Sequence, residues 1–390
     1  MTSLSIILMD VILLVFLLML SIPLPVCFAG ALLFLSLFGD VSMKTMLIWV
    51  FSQSTGTVLL ASPLFILAGT YMGGSGIAKR LLDCVDAFVG HIKSGLGVVA
   101  VLVCAIMGAI SGSGFTGVAA TGPIMIPKME EQGYPRGYAT ALVTVSSVLG
   151  LLIPPSVVMI MFGWVTECSI LACFLSTLGP GLIITALFCI IHVFWSRQFD
   201  LKVTEKKPFG EFASNAGKMT FKAVPALIMP LIILGGIYGG VFTPTEAAAM
   251  AAIYSIPIGL WVYKACTFKG FLAMTKEATS TVGSIMVMIV CCLMLSRVFT
   301  VYRVPELVLE LLMSITTNNI LLFIIDIFLF IVGMIVNDTT GVLICAPLLM
   351  PVMNQLGISP IHFASIMGVN LAMGGVTPPY ASILYLGMRI

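Results

Sequence analysis

Long stretches of this 390-residue chain, among them residues 45–78, 94–127, 137–166, 168–196 and 339–388, contain no Asp, Glu, Lys or Arg. A bilayer crossing needs about 20 mainly apolar residues, and every stretch is longer. Soluble domains carry about a quarter charged residues, against 9% here, with 60% hydrophobic residues and a mean hydropathy of +1.17. The chain is therefore expected to be an all-α polytopic membrane protein, embedded in a lipid bilayer. The net charge of +2, with no aromatic-basic patch, excludes nucleic acid as a partner. The apolar run from Leu4 is interrupted by Asp10 and lacks a basic n-region and a small-residue cleavage site, so it reads as a first membrane helix rather than a signal peptide. Ten cysteines lie singly or as the pair Cys291 and Cys292 without Cys-x-x-Cys spacing, and read as small buried hydrophobes. His91, His192 and His362 are far apart and form no transition-metal cluster.

The chain repeats itself. Thr116-Gly-Val-Ala-Ala-Thr-Gly-Pro123-Ile-Met-Ile-Pro127 aligns without a gap on Thr340-Gly-Val-Leu-Ile-Cys-Ala-Pro347-Leu-Leu-Met-Pro351. The offset, 347 − 123 = 224, also relates Gly133 to Gly357, Gly150 to Gly374, Pro154 and Pro155 to Pro378 and Pro379, and Gly163 to Gly387. Short cytoplasmic loops carry an excess of Lys and Arg. Lys128 and Arg136 flank the loop after the first copy, where the second has Val352 and Pro360. The copies are thus expected to face opposite sides of the membrane, as in many secondary transporters that bind solute where inverted repeats meet. The stretch 197–222, with Arg197, Lys202, Lys206, Lys207, Lys218 and Lys222, should be cytoplasmic. The repeat also predicts a further helix from about position 392, beyond Ile390.

Each copy reads as a re-entrant helical hairpin followed by a broken helix. In the first, an arm of roughly ten to fifteen residues leads to Ser111-Gly112-Ser113-Gly114, and a second runs from about Thr116 to Met129. At about 1.5 Å per residue such arms stop partway through a core of about 30 Å. The second tip is Asn337-Asp338-Thr339-Thr340. The breaks are Gly150-Leu-Leu-Ile-Pro154-Pro155-Ser156 and Gly374-Gly-Val-Thr377-Pro378-Pro379-Tyr380. Paired prolines remove helix hydrogen bonds and free carbonyls, tolerated at membrane depth only where protein or a water-filled cavity covers them. Freed carbonyls and hydroxyls suit a hard cation such as Na⁺, while hairpin helix N-termini suit an anion. A carboxylate near the bilayer centre costs about 2.5–3.5 kcal/mol. Asp338 therefore needs a bound cation, or protonation and hydrogen bonds in the protein interior; Asp326, about three turns earlier, is expected near a helix end or interface. The Gly-x-x-x-Gly spacings at Gly69–Gly73, Gly235–Gly239 and Gly236–Gly240 are expected to permit close helix packing.

Ile110-Ser-Gly-Ser-Gly through Ile126-Pro127, Gly133-Tyr-Pro-Arg-Gly-Tyr-Ala, Leu152-Ile-Pro-Pro-Ser156 and Phe242-Thr-Pro-Thr-Glu-Ala-Ala-Ala249 together resemble the large membrane subunit of tripartite ATP-independent periplasmic (TRAP) transporters, the DctM-like family. The likeness covers essentially the whole chain. It implies an elevator-type carrier driven by a Na⁺ gradient in the bacterial inner membrane, with a scaffold, a moving transport domain and no cofactor beyond the coupling ion. Its implied partners are a small four-helix membrane subunit and a periplasmic substrate-binding protein delivering an organic acid such as a C4-dicarboxylate or a sialic acid. Carried onto this chain, the solute would be bound by Ser111, Gly112, Ser113, Gly114, Thr116, Ser156, Thr340 and Thr377. Na⁺ would be held by Ser111, Ser113, Gly150, Pro154, Asn337, Asp338, Thr339, Gly374 and Thr377. The chain departs from the family pattern at Gly117 and Asn337, where acidic residues are frequent, and in Tyr380-Ala-Ser-Ile, which replaces Val-Gly-Leu-Asn.

The expected organisation is a first scaffold arm (1–92), the first hairpin and broken helix (93–168), a membrane helix and cytoplasmic linker (169–222), a second scaffold arm (223–315), and the second hairpin and broken helix (316–390). The alternative function is a self-sufficient Na⁺/dicarboxylate symporter. An intramembrane hydrolase using Ser113, or Asp326 with Asp338, is disfavoured: a serine nucleophile needs a positioned base, and the histidines are distant in sequence.

Overall fold

The computed structural model describes residues 3–20, 22–39, 41–90, 94–202, 209–315, 320–379 and 381–390. His91, Lys206, Lys207 and Tyr380, singled out above, lie outside them. The described residues are helical with no strand, as expected where backbone must pair within its own segment. In order come α1 (Ser3–Met19), α2 (Leu24–Phe38), α3 (Met43–Ser54), α4 (Ala61–Gly74) and α5 (Ile77–Val89). Then follow α6 (Gly95–Ser111), α7 (Gly114–Glu131), α8 (Arg136–Ser147), α9 (Leu149–Leu152), α10 (Val157–Val165) and the long α11 (Ile170–Trp195). The middle section comprises α12 (Phe209–Pro230), continued through a wide turn into α13 (Gly236–Tyr238), then α14 (Pro244–Pro257), α15 (Phe268–Val301) and α16 (Val304–Ile315). Last are α17 (Ile320–Ile335), α18 (Asp338–Gln355), α19 (Pro360–Gly374) and α20 (Ser382–Arg389). Six helices or helix runs among the described residues are long and apolar enough to cross a membrane. The chain is a multi-pass membrane protein. Exposed Leu182, Ile183 and Phe194 on α11, and Phe221 on α12, face where lipid would lie.

The repeat is three-dimensional. Adding 224 to the bounds of α7 gives 338 and 355, the bounds of α18; adding it to the last residue of α6 gives 335, the last residue of α17. The loops after both hairpins contain a glycine in the left-handed region, Gly133 (φ 106°) and Gly357 (φ 70°), a conformation that costs any other L-residue. Both Pro-Pro bonds are cis.

Pairs of close backbone approaches fasten each broken helix to its hairpin. A Cβ on Gly150 would lie 2.8 Å from Gly108 Cα and 3.0 Å from the Ser113 carbonyl oxygen; one on Gly374 would lie 2.7 Å from Gly333 Cα. The far half of each broken helix then crosses to the other hairpin. Val157 N donates to the Gly112 carbonyl at the first tip (3.2 Å). Five residues on, Phe162 meets Phe363 edge-to-face at 5.8 Å, beside the base of the second hairpin. In return, Ile383 reaches Gly114 at the first tip, whereas Ile390 reaches Gly122 and accepts from Arg136 Nη2 (3.2 Å) near the first base.

A second group, α2, α4, α5, α12, α14 and α15, packs largely within itself. The Thr-Pro-Thr-Glu motif starts α14 as a capping box: Glu246 N donates to Thr243 Oγ1 (3.3 Å), and Thr243 N donates to Glu246 Oε2 (2.8 Å). Pro244 at the first turn needs no N–H partner. Of the Gly-x-x-x-Gly sites, Gly69 approaches another helix, with a built Cβ 2.8 Å from Ser111 Cβ, whereas Gly236 is closed off by Phe242 of the loop that follows α13. Gly235, within the helix run, and Gly240 have open space, and Gly240 (φ 68°) turns the chain after α13.

Candidate functional site

Both hairpin tips open onto one cavity of about 1630 Å³. From the first tip come Gly112, Ser113 and Thr116; from the second, Asn337, Asp338 and Thr339; and from the second break, Pro379. Helices α4 and α15 complete the wall with Thr70, Glu277, Ser280, Thr281 and Ser284.

Local sequence explains each tip. Gly112 closes α6 in the left-handed region (φ 65°), and its α-carbon faces the Pro155 carbonyl, leaving no room for a side chain. Ser113 then begins α7 without capping it through its side chain, so that helix presents first-turn N–H groups. The second tip differs. Thr339 N donates to Asn337 Oδ1 (3.1 Å) and to Asp338 Oδ1 (2.9 Å), so α18 is capped by its own residues. The two tips thus differ in that one first-turn N–H of α18, Thr339 N, is paired with side chains of its own tip. Asp338 is buried at 8% exposure yet borders the cavity.

The other expected residues form the layer behind this wall. Ser111 is fully buried, donating to the Met107 carbonyl (3.0 Å), and Thr340 is fully buried, its hydroxyl 3.1 Å from Met288 Sδ. Thr377 donates to the Met373 carbonyl (2.9 Å). Gly114 lies against Ile383, while Gly150 and Gly374 sit in the backbone contacts described above. Pro154 and Ser156 are buried in the first break, and Ser156 Oγ has no hydrogen-bond partner among the described residues. The two breaks are unequally covered, since Pro378 and Pro379 are exposed and Pro379 borders the cavity.

One expectation is corrected. The hairpin arms contain 17, 18, 16 and 18 residues, or roughly 24–27 Å at 1.5 Å per residue, so the first is longer than the expected ten to fifteen residues, though all remain shorter than a hydrocarbon core of about 30 Å. The first arm begins earlier than expected because Ser94 (φ 71°) turns the chain directly into α6. Of the two places expected for Asp326, a helix end or an interface, the structure has the second: it lies in mid-helix and accepts from Asn370 Nδ2 (2.9 Å) at the α17–α19 interface.

Sequence reasoning missed three features. Glu277 and the hydroxyls of α15 carried a signal, the polar run Thr275-Lys-Glu-Ala-Thr-Ser-Thr281 inside an apolar helix. Asp10 is fully buried with neither carboxylate oxygen hydrogen-bonded. At the base of the first hairpin, buried His192 joins three segments. Its Nε2 lies 3.0 Å from the Ser94 carbonyl, which can only accept, so Nε2 donates and Nδ1 accepts from Tyr138 Oη (2.9 Å). Tyr134 stacks on the same imidazole, and its burial in the α7–α8 loop pushes the phenol up to about 12.

Residues 11–390 match the family described as the tripartite ATP-independent periplasmic transporter, DctM component. The chain belongs to this family. The DctM family consists of transporter permease subunits, so the hydrolase reading falls. Similar proteins include the C4-dicarboxylate TRAP transporter large permease protein DctM of Pseudomonas aeruginosa, 35% identical over 92% of this chain and 83% of that one. The sialic acid TRAP transporter large permease protein SiaM of Vibrio cholerae is 31% identical over 85% of this chain and 77% of its own. Among solved structures, the Alcanivorax borkumensis YdaH transporter superposes with a TM-score of 0.57 at 15% identity, covering 88% of this DctM-family chain and 81% of its own, a likeness of fold.

Proposed function

We propose that this chain is the permease subunit of a Na⁺-coupled, binding-protein-dependent carrier that imports organic acids across the bacterial inner membrane by an elevator movement. The observation that carries the reading is the convergence of both hairpin tips, with Asp338, on one cavity. Named substrates of relatives, a C4-dicarboxylate and a sialic acid, are organic anions.

The residues present suit a hard cation. Ser156 offers a buried hydroxyl without a partner, beside a break whose carbonyls lack helical donors. Asn337 and Asp338 offer further oxygens at the second tip. Hard monovalent and divalent cations take such ligands, as opposed to imidazole or thiolate. A bound Na⁺ supplies positive charge that offsets Asp338 and ties solute entry to the ion gradient. Gly150, Pro154, Gly374 and Thr377 then shape the site through backbone, and Ser113 with the uncapped start of α7 receives the anion.

Opposite insertion of the two repeats is supported by the crossing described above. The α8–α10 run starts at the first base, passes the first tip at Val157 and ends beside the second base. A 30-residue run from Arg136 to Val165 spans roughly 45 Å at 1.5 Å per residue, enough to separate the two bases by a membrane. The hairpins and broken helices (93–168 and 316–390) form the moving transport domain, and 1–92 with 223–315 the scaffold; 169–222 provides a membrane helix and cytoplasmic linker. The partners are the small four-helix membrane subunit and a periplasmic binding protein, as the family name implies. Membership of a tripartite family argues against the self-sufficient symporter.

Proteoliposomes holding the large and small subunits, with the cognate binding protein outside, test this. Solute uptake is expected only under an inward Na⁺ gradient and with all three components. Each net positive charge moved inward gains about 2.3 kcal/mol per 100 mV, so an inside-negative potential should accelerate uptake if the cycle is electrogenic. Robust uptake by the large subunit alone refutes the tripartite reading.

A further inference from the structure

Resting on the transport reading above, we propose that the ion pair between Asp86 and Lys128 is a one-sided latch, holding the carrier in the state whose cavity opens toward the cytoplasm. Asp86 lies in the last turn of α5, which leads into the first hairpin, and Lys128 in the last turn of α7 at the base of that hairpin. Lys128 Nζ donates to Asp86 Oδ2 (2.6 Å). The other salt bridges among the described residues, Arg80–Asp83 and Arg136–Glu130, join near neighbours in sequence; this one ties two separate elements. A carboxylate at the end of a helix opposes its dipole, so Asp86 does not serve α5 itself. The second carboxylate oxygen lies over Gly90, where a Cβ would collide with it, which leaves Oδ2 aimed at the hairpin.

From the tips the cavity reaches the end of α4 at Gly73 and Gly74 and the start of α15 at Met274 and Glu277. Lys79 and Arg80 follow the first of these ends, and Lys264 and Lys269 precede the second, the mark of a cytoplasmic face. A carrier built from oppositely inserted copies reaches its second state when each copy takes up the arrangement of the other around the solute site. The two copies are arranged differently here. Adding 224 to 77 and 89, the bounds of α5, gives 301 and 313, where α16 (Val304–Ile315) lies. Helix α5 packs chiefly on α6, the first arm of its hairpin, whereas α16 packs chiefly on α18, the second arm of the other. The same offset carries Asp86 to Glu310 and Lys128 to Val352. Glu310 is exposed and Val352 is fully buried. In the exchanged state Asp86 would therefore stand in solvent and Lys128 would be enclosed, which breaks the pair. No equivalent pair forms at the other side, because Val352 carries no charge. The latch thus acts on one state alone.

The test uses inside-out and right-side-out membrane vesicles holding the large and small subunits, with Ser113→Cys at the first tip and a membrane-impermeant maleimide as the probe. Labelling without Ser113→Cys gives the background from the native cysteines. The readout is the ratio of labelling rates from the cytoplasmic and periplasmic sides, expected to exceed one. Lys128→Met and Asp86→Asn should each lower that ratio by about fivefold, the shift that a partly exposed ion pair can supply. The double variant should fall no further than either single one. A pair that merely fastens α5 to the hairpin in both states would leave the ratio unchanged, and that result overturns the proposal. So do a parent ratio below one, additive effects in the double variant, or single variants that both fail to reach the membrane. The transport reading fails separately: absence of Na⁺-driven uptake of any organic acid by the complete three-component system would sink it whatever the labelling ratio.

Discussion

Replacing Gly150 by Ala adds one methyl group at the point where the first broken helix meets its hairpin. The built Cβ lies 2.8 Å from Gly108 Cα and 3.0 Å from the Ser113 carbonyl oxygen. Both neighbours are backbone, so neither can rotate away, and overpacking of this kind costs about 1–3 kcal/mol. Ala also removes about 0.5–1 kcal/mol of helix-forming penalty relative to Gly, leaving a net loss of about 1–2 kcal/mol. Gly374→Ala meets Gly333 at 2.7 Å in the second repeat and should lose a similar amount. Gly137→Ala, in the same run as Gly150 but with nothing within 4 Å, should be neutral or gain about 0.5 kcal/mol. Unfolding in mixed micelles by SDS titration, followed by circular dichroism, measures all three. If Gly150→Ala proved as stable as Gly137→Ala, the close backbone joint between break and hairpin would be wrong, and the cavity built on it with it.

Asp338→Asn removes the charge that the proposed coupling cation would offset, and on that proposal should abolish Na⁺ dependence of solute binding while leaving the protein folded by circular dichroism; unchanged Na⁺ dependence refutes the cation assignment. His192→Ala should lose about 2–4 kcal/mol in the same SDS titration, since it empties a packed site and strands the Ser94 carbonyl. Gly97→Ala places a methyl into that imidazole and should also destabilise, but the double variant should recover part of the loss; strict additivity would mean the two residues do not touch. Asp10→Leu should stabilise the chain, because the carboxylate is buried without a partner and such a group at membrane depth costs about 2.5–3.5 kcal/mol; a loss of stability would show that Asp10 is compensated.

Glycine and proline made the hairpins and breaks readable from the amino-acid sequence. These residues are demanded by backbone geometry: Gly112 by its left-handed φ and the Pro155 carbonyl beside it, Gly133 and Gly357 by matching turns, and Gly150 and Gly374 by contact with another main chain. A repeated demand leaves a repeated letter. The wall supplied by α4 and α15 left no repeated letter, only the polar run from Thr275 to Thr281, since Thr70 and Thr281 satisfy their own hydroxyls within the helix. Arm lengths were misjudged because a charge-free run marks membrane depth and not the residue at which a helix starts. The Gly-x-x-x-Gly pattern misled at Gly235, which faces open space, and at Gly239, which caps α13, and succeeded at Gly69, where Ser111 lies against it.

Each broken helix begins at the root of one hairpin and finishes beside the root of the other, as the contacts of Phe162 with Phe363 and of Ile390 with Arg136 show. Such a yoke prevents either hairpin from shifting along the membrane normal without dragging its counterpart. On the reading proposed above, an ion and a solute held at the joined tips, between the two roots, would travel as a single cargo.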